Sequence, residues 1–253
     1  MTELWIGSSI KLDMQIEISN EHPCVFIHGM WGSSAVFNDW YNLLNGGFMF
    51  NLIGHHPNGS SEENHIALDH VSIDDYVRQT IRILDGQVSS SVNLIGHSLG
   101  GLIAQIVASR RPELVKNLVL LASVPPHGIH LPFQARYFKY WWKIVTGFAF
   151  KLSLKDTKFV AGRTNVPFGW ESGRVVREVL FGKFRVPSLR CRTLVIAGDK
   201  DQLLPPETEM RLAKLHRANY KEIWAGEHML PCDPTTSEVV RDEVVEWLND
   251  AQN

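Results

Sequence analysis

The chain has 253 residues, of which 44% are hydrophobic and 21% charged, the composition of an ordinary globular protein. A formal net charge of −2 gives no reason to expect a nucleic-acid partner, and charges or glycines interrupt every apolar stretch too early for a transmembrane segment. The three cysteines, Cys24, Cys191 and Cys232, are widely spaced and favour neither a disulfide framework nor a zinc site. We therefore expect no metal, no cofactor, no secretory signal and a cytoplasmic location, while the oligomeric state stays open.

Six short β-prone runs predict strands, most of them buried. In chain order they span residues 23–27, 48–53, 91–95, 116–122, 193–197 and 220–224. Helical segments are predicted between them, at residues 34–44, 72–86, 102–109, 205–215 and 236–248. Strands that alternate with helices in this way predict an α/β fold, with a mostly parallel sheet covered by helices on both faces.

Two segments depart from this alternation. Residues 5–18 predict an antiparallel hairpin with one solvent-facing side, because apolar and polar residues alternate in its second half. Residues 126–190 lack the regular succession of strand and helix. We therefore divide the chain into a core domain, residues 1–125 and 191–253, and an insertion, residues 126–190.

The segment Gly96-His97-Ser98-Leu99-Gly100 joins a predicted strand to a predicted buried helix. A strand, a sharp turn and a helix form the context in which the pattern G-x-S-x-G places a serine nucleophile at a strained turn. A glycine on each side of the serine keeps the neighbouring strand and helix free of side-chain crowding. The alternative is a tight turn with a capping serine; the flanking elements favour the nucleophile.

Four motifs follow four of the predicted strands, in this order: His28-Gly29, Gly96-x-Ser98-x-Gly100, Gly198-x-x-Asp201 and His228. In these motifs the chain resembles the small single-domain branch of the α/β-hydrolase superfamily, over nearly all of residues 20–250 outside the insertion. The resemblance implies the α/β-hydrolase fold with a helical cap, formed here by the insertion. Many relatives carry an aspartate before a Gly-His-Gly-x-Ser loop, and residues 51–60 depart from that pattern.

The resemblance implies a serine, aspartate and histidine in that order along the chain. Ser98 is then the nucleophile, and its base must follow the acid, which leaves His216 and His228. His216 ends a charged helical segment and is expected on the surface, so His228 is favoured. Asp199 and Asp201 compete as the acid that orients the histidine, and the spacing from Gly198 in the family favours Asp201.

Backbone amides after the nucleophile and after the first motif are expected to form an oxyanion hole, which assigns Leu99 and Met30. Trp31 and His28 are candidates for substrate contact in the same loop. Packing of the loop is the alternative for Met30 and Trp31, and a structural role beside the nucleophile is the alternative for His28.

The insertion is rich in aromatic residues, which predicts an apolar acyl or ring-bearing substrate beneath the cap. Trp141 and Trp142 are the cap residues selected as candidate substrate contacts, although at least half of the cap aromatics are expected only to pack against the core. The insertion also holds twelve Lys and Arg residues against three acids, a net charge of +9, so the remainder carries −11. A solvated cationic face is the default interpretation; an anionic substrate group, an acidic carrier or a negatively charged membrane surface are the alternatives.

The residues together predict a serine hydrolase that cleaves an ester or thioester of a hydrophobic small molecule through an acyl-enzyme. Two alternatives remain at this level. The same triad serves C–C bond hydrolysis, lysis or cyclisation in one of them, and in the other the scaffold is a small-molecule receptor.

Overall fold

The computed structural model describes residues 22–41, 48–56, 63–88, 90–132 and 135–250. Within these ranges six strands form one parallel sheet in the order β2-β1-β3-β4-β5-β6. The strands are β1 (Cys24–Ile27), β2 (Phe48–Met49), β3 (Val92–His97), β4 (Val115–Leu121), β5 (Arg192–Gly198) and β6 (Asn219–Ile223). The predicted α/β fold is confirmed, and the hairpin predicted at residues 5–18 lies outside the described residues.

Helices cover both faces of the sheet. They are α1 (Asn38–Tyr41), α2 (Glu63–Leu68), α3 (Ile73–Gln87), α4 (Leu99–Arg110), α5 (Trp141–Thr146), α6 (Leu154–Ala161), α7 (Gly173–Leu180), α8 (Pro206–His216) and α9 (Ser237–Asn249). Successive strand residues enter opposite cores: Val25 and Ile27 pack with α3, α4 and α8, and Cys24 and Phe26 pack with α9. In the described ranges no helix is both long and apolar enough to cross a membrane.

Strand β2 is shorter than the predicted run over residues 48–53, because backbone N–H groups after Met49 donate to side chains and not to a neighbouring strand. The N–H of Leu52 donates to His28 Nε2 at 3.1 Å, and the N–H of Ile53 donates to Gln79 Oε1 at 2.9 Å. Those amides are therefore lost to the sheet, but they fasten the loop after β2 to the loop after β1 and to α3.

Helix α4 lies directly on the sheet because two glycines permit it. A Cβ at Gly100 would lie 2.1 Å from the Ile27 carbonyl oxygen, and a Cβ at Gly96 would lie 2.5 Å from the Gly100 carbonyl oxygen. No side chain fits at either position. The start of α4 is thereby held against the carboxyl ends of β1 and β3.

The segment between β4 and β5 carries α5, α6 and α7 and packs on the core through a small apolar cluster of its own. Trp31 from the core joins this cluster, and its indole N–H donates to the Phe150 carbonyl at 3.1 Å. The cap members of the cluster are Ile144, Phe150, Leu152, Val160 and Val176. The boundaries predicted for the insertion, 126–190, stay a prediction.

A buried carboxylate also joins the cap to the core. Glu171 is fully buried and accepts hydrogen bonds from the Tyr76 hydroxyl at 2.8 Å and from the Ser172 N–H at 2.7 Å. Its second oxygen faces His55 Nε2 at 3.3 Å. Because Tyr76 lies on α3 and His55 follows β2, one cap side chain holds two separate parts of the core.

Candidate active site

Ser98 occupies the sharp turn between β3 and α4. Its backbone has φ 53° and ψ −118°, a conformation that side-chain-bearing residues rarely adopt. Hydrogen bonds hold it there: its N–H donates to the Leu121 carbonyl at 3.0 Å, and its own carbonyl accepts from Val124 at 2.9 Å and from Gly101 at 3.0 Å. The surrounding strand and helix therefore impose the strain that turns the Ser98 side chain toward the cavity.

His228 bridges the serine and an aspartate. Its Nε2 lies 3.1 Å from Ser98 Oγ, and its Nδ1 lies 2.8 Å from Asp201 Oδ2. A carboxylate only accepts, so Nδ1 carries the proton and the Nε2 lone pair faces the serine hydroxyl. All three residues are buried, at 7% exposure or less. The structure thus brings together the three residues that the sequence selected, with the histidine poised to accept the Ser98 proton.

Asp201 is fixed by its own loop. The N–H groups of Leu203 and Leu204 donate to Asp201 Oδ1 at 2.8 and 3.0 Å, which leaves Oδ2 for His228. The competing acid, Asp199, pairs with Lys200 at 3.2 Å. The geometry therefore separates the two aspartates, which the sequence alone could rank only by spacing.

His97 holds the backbone of the loop that carries His228. Its Nε2–H donates to the His228 carbonyl at 2.9 Å, and the two rings lie 5.1 Å apart. Burial lowers the pKa of His97 to about 3, with the neighbouring His228 ring adding to the shift. His97 is therefore neutral at physiological pH and adds no positive charge that would oppose an imidazolium at His228.

His28 is a correction to the sequence prediction of substrate contact. The ring is completely buried, and both of its nitrogens are used by backbone: Nδ1–H donates to the Gly29 carbonyl at 2.8 Å, and Nε2 accepts from Leu52. Burial holds the pKa of His28 well below its ordinary value. This neutral ring fixes the loop that carries Met30 rather than lining the cavity, which agrees with the structural alternative.

Strained backbone is concentrated at the carboxyl edge of the sheet. Trp31 (φ 56°), Ala122 (φ 41°) and Ala225 (φ 58°) follow β1, β4 and β6, and Ser98 follows β3. Residues with side chains avoid positive φ, and clusters of such residues mark functional sites. Four of the six strands therefore end in strained turns at the same edge, around the serine.

The two backbone amides assigned to an oxyanion hole lie on either side of Ser98. Leu99 is the first residue of α4, a position whose N–H has no partner within the helix. The loop of Met30 passes so close that a Cβ at Gly29 would lie 2.9 Å from Ser98 Cβ. This placement agrees with the assignment of Leu99 and Met30.

A cavity of about 800 Å3, including its open mouth, lies over Ser98 and His228. Apart from Ser98 and the two imidazoles its walls are almost entirely apolar, and Met30 and Trp31 belong to them as predicted. The cap and the loop after β5 supply the other wall, with Leu131, Tyr137, Val160, Phe168, Val176, Val179, Leu180, Leu203 and Leu204. None of these cap and loop residues was selected from the sequence, since aromatic content alone does not show which side chains face inward.

Trp141 and Trp142 are a second correction. Their side chains are 50% and 59% exposed, and neither lines the cavity. They begin α5, where Ile144 takes the inward position. The prediction that these tryptophans contact substrate is not supported, because the short helix turns them toward solvent.

His216 is a third correction, because it is buried and not on the surface. Its Nε2–H donates to Gln105 Oε1 at 3.0 Å, and Gln105 Nε2 donates to Ser123 Oγ at 2.9 Å. Burial lowers the pKa of His216 to about 4. This polar chain links α8, α4 and the end of β4 behind the triad.

In the described ranges no group of three or more His, Cys, Asp or Glu side chains could hold a metal ion.

Glu209 is a buried acid that the sequence analysis missed. It is fully buried on α8, and burial raises its pKa well above the ordinary value, although the backbone N–H of Ser123 favours the charged form. The negative charge of Asp201 raises the pKa further. Its helical spacing to the buried residues Leu212 and Ala213, three and four positions on, is the signal that could have placed it inside.

We expect Glu209→Gln to change the pH dependence of stability. The native pKa is raised, so the stability that the proton contributes is fully present below the ordinary value of 4.5 and is lost as the pH rises through the native pKa. Glutamine does not titrate. Between about pH 5 and about pH 8, the melting temperature of the wild type should therefore fall relative to that of Glu209→Gln. The variant Glu207→Gln, on the exposed side of α8, should show no such trend. A constant difference across this pH range would contradict the assignment.

The comparisons with known proteins agree with this geometry. The model of the alpha/beta hydrolase family matches residues 24–243. The uncharacterised hydrolase YugF of Bacillus subtilis is 24% identical, with 88% of this chain and 89% of YugF covered. Ethanol acetyltransferase 1 of Cyberlindnera fabianii is 26% identical over 51% of this chain and 37% of its own length.

Among solved structures, a monoacylglycerol lipase of Paleococcus ferrophilus superposes with a TM-score of 0.67 at 21% identity, with 90% of this chain and 95% of that one covered. The chain spans about two fifths of the length of the first curated relatives that it matches. The match of the family model is much broader, over most of the described sheet, helices and cap. The chain belongs to the alpha/beta hydrolase family of enzymes.

Proposed function

We propose that the chain is a serine hydrolase that cleaves an ester or thioester of a hydrophobic small molecule through an acyl-enzyme. The observation that carries this proposal is the position of His228, which contacts Ser98 Oγ at 3.1 Å and Asp201 at 2.8 Å at the floor of an apolar cavity. A hydroxyl needs such a base to become nucleophilic near neutral pH, and the base needs a partner that fixes its tautomer.

Acylation follows from the contacts. His228 Nε2 takes the Ser98 proton as Oγ attacks the carbonyl carbon, and the imidazolium is stabilised by Asp201. The negative charge on the former carbonyl oxygen is met by the N–H groups of Leu99 and Met30. Collapse of the tetrahedral intermediate breaks the bond to the alcohol or thiol, which leaves with the proton from His228.

Deacylation repeats these steps with water. His228, now neutral, removes a proton from a water molecule as the water attacks the Ser98 ester. The same two amides receive the second oxyanion, and the proton returns from His228 to Ser98 Oγ as the carboxylic acid is released. Neutral His97 beneath the ring imposes no charge repulsion on either imidazolium step.

The cavity walls support a neutral, apolar acyl group. No Lys, Arg, Asp or Glu is among the lining residues that the structure describes. Burying an unpaired carboxylate or phosphate in such a cavity costs several kcal/mol, even after the protein relaxes and water penetrates. Of the substrate types left open by the sequence, the cavity favours a neutral hydrophobic one.

Ser98→Ala should lower turnover of a p-nitrophenyl acyl ester by about 10³-fold or more, because the variant lacks the nucleophile. It should also abolish labelling by a fluorophosphonate, while the circular dichroism spectrum stays unchanged. Activity within about tenfold of the wild type would contradict the acyl-enzyme mechanism. Labelling without turnover of any ester or thioester would favour the C–C bond alternative, and a folded protein that is not labelled would favour a receptor.

Asp201→Asn should reduce kcat/KM by about 10³-fold or more, because the amide no longer enforces the proton on His228 Nδ1. Asp199→Asn is the matched control, two residues away and paired with Lys200. It should retain activity to within about threefold, because its ion pair is with Lys200 and the contact with His228 is made by Asp201. Equal losses in the two variants would reassign the acid.

Two esters of equal length, one neutral and one ending in a carboxylate, should differ in kcat/KM by about tenfold or more in favour of the neutral one. Since none of the described lining residues is a Lys or Arg, this preference should persist from low to moderate salt. A preference for the anionic ester that weakens as salt is added would show instead that the basic cap steers the substrate.

A further inference from the structure

We propose that the outer face of the cap docks this protein on an anionic lipid bilayer. The face is built on an outer stripe of four residues, Phe138, Trp141, Trp142 and Val145, which are 74%, 50%, 59% and 54% exposed. Their spacing of three, four and seven positions places them on one side of the 3₁₀ turn Ala135–Tyr140 and the helix α5 that continues it. Ile144 points the other way, into the cap cluster.

The charge around the stripe is almost entirely positive. The three acids of the cap, Asp156, Glu171 and Glu178, are all buried and engaged inside the molecule. The cap lysines, in contrast, are exposed: Lys139, Lys143, Lys151, Lys155, Lys158 and Lys183. Two of them offset the buried acids, since Lys139 pairs with Asp156 and Lys183 pairs with Glu178. The described part of the cap therefore presents cations and apolar side chains to solvent without a competing exposed carboxylate.

Neighbouring residues extend the stripe into a surface. Lys139 donates to Ser153 Oγ at 3.0 Å, which brings the first turn of α6 beside the 3₁₀ turn. Leu154 in that turn is 84% exposed. Lys155 and Phe138 line one depression with Ala135, Lys139 and Asp156, and Asp156 is paired there with Lys139. Apolar side chains and lysines are thus interleaved, as in elements that lie at a membrane surface.

A bilayer fits this surface better than a protein partner does. A standard protein interface engages about 20 to 30 residues a side and centres on a pocket, whereas this surface consists of a few side chains on three short elements. Tryptophan prefers the boundary between headgroups and acyl chains, and lysines beside it contact anionic headgroups. The edge-on packing of Trp141 and Trp142, with ring centroids 5.4 Å apart, places two such anchors together.

Docking in this orientation would bring the cap wall of the cavity to the lipid. Tyr137, the residue before Phe138, lines the cavity above Ser98. An apolar substrate held in a bilayer would then reach the cavity from the cap side. The surface includes neither Ser98 nor His228, so docking is testable apart from the proposed hydrolase activity.

The test is co-sedimentation with vesicles of phosphatidylcholine alone and with added phosphatidylglycerol. The full chain should partition onto the anionic vesicles about tenfold or more better than onto the neutral ones, and added salt should weaken the binding. A Trp141→Ser/Trp142→Ser double variant should lose most of the binding. Trp224→Ser is the matched control, since Trp224 is 84% exposed and lies after β6, outside the cap.

Circular dichroism and turnover of a soluble short-chain ester should be unchanged in the double variant, since neither tryptophan lines the cavity. Lys143→Glu/Lys155→Glu should lower binding to anionic vesicles but not to neutral ones. If Ser98→Ala binds the anionic vesicles as strongly as the wild type does, docking is independent of catalysis. The proposal is overturned by any of three results: no vesicle binding, equal binding to both compositions, or capture of an acidic protein without vesicle binding. An equal loss in Trp224→Ser would also overturn it.

Discussion

The close contact between α4 and the sheet is the constraint on which the site depends. Backbone atoms of Gly100 and of Ile27 approach so closely that no Cβ fits between them, and Gly96 meets Gly100 in the same way. This contact leaves Ser98 in a conformation with φ 53°, from which its side chain meets the His228 ring. The strain is offset by the packing of a whole helix on two strands.

Neutral histidines then hold the loops around that serine. His28 and His97 each use a ring nitrogen to fix a backbone carbonyl, in the loops of Met30 and of His228. Burial lowers the pKa of both rings, so neither becomes charged near neutral pH. The site therefore gains hydrogen bonds without gaining cations, and the positive charge of the proposed mechanism is confined to His228.

The cap separates its carboxylates from its lysines. Its carboxylates are buried, where Glu171 contacts Tyr76 and lies beside His55, and its inward apolar side chains line the cavity. Its lysines and the outer stripe face solvent. One inserted segment thus provides a neutral substrate wall on one side and a cationic apolar surface on the other.

The sequence by itself determined the sheet and selected the three triad candidates, because those depend on local patterns. Strand, turn and helix signals lie next to each other in the chain, and Ser98, Asp201 and His228 each follow directly on such a signal. Only the tertiary structure decided which way Trp141 and His216 face, since each lies on a helix whose inner side is set by packing with distant elements. The sequence shows that the cap is rich in aromatic residues. It does not show which of them line the cavity and which form the outer stripe, because the rotation of a short helix is fixed by contacts with residues far apart in the chain.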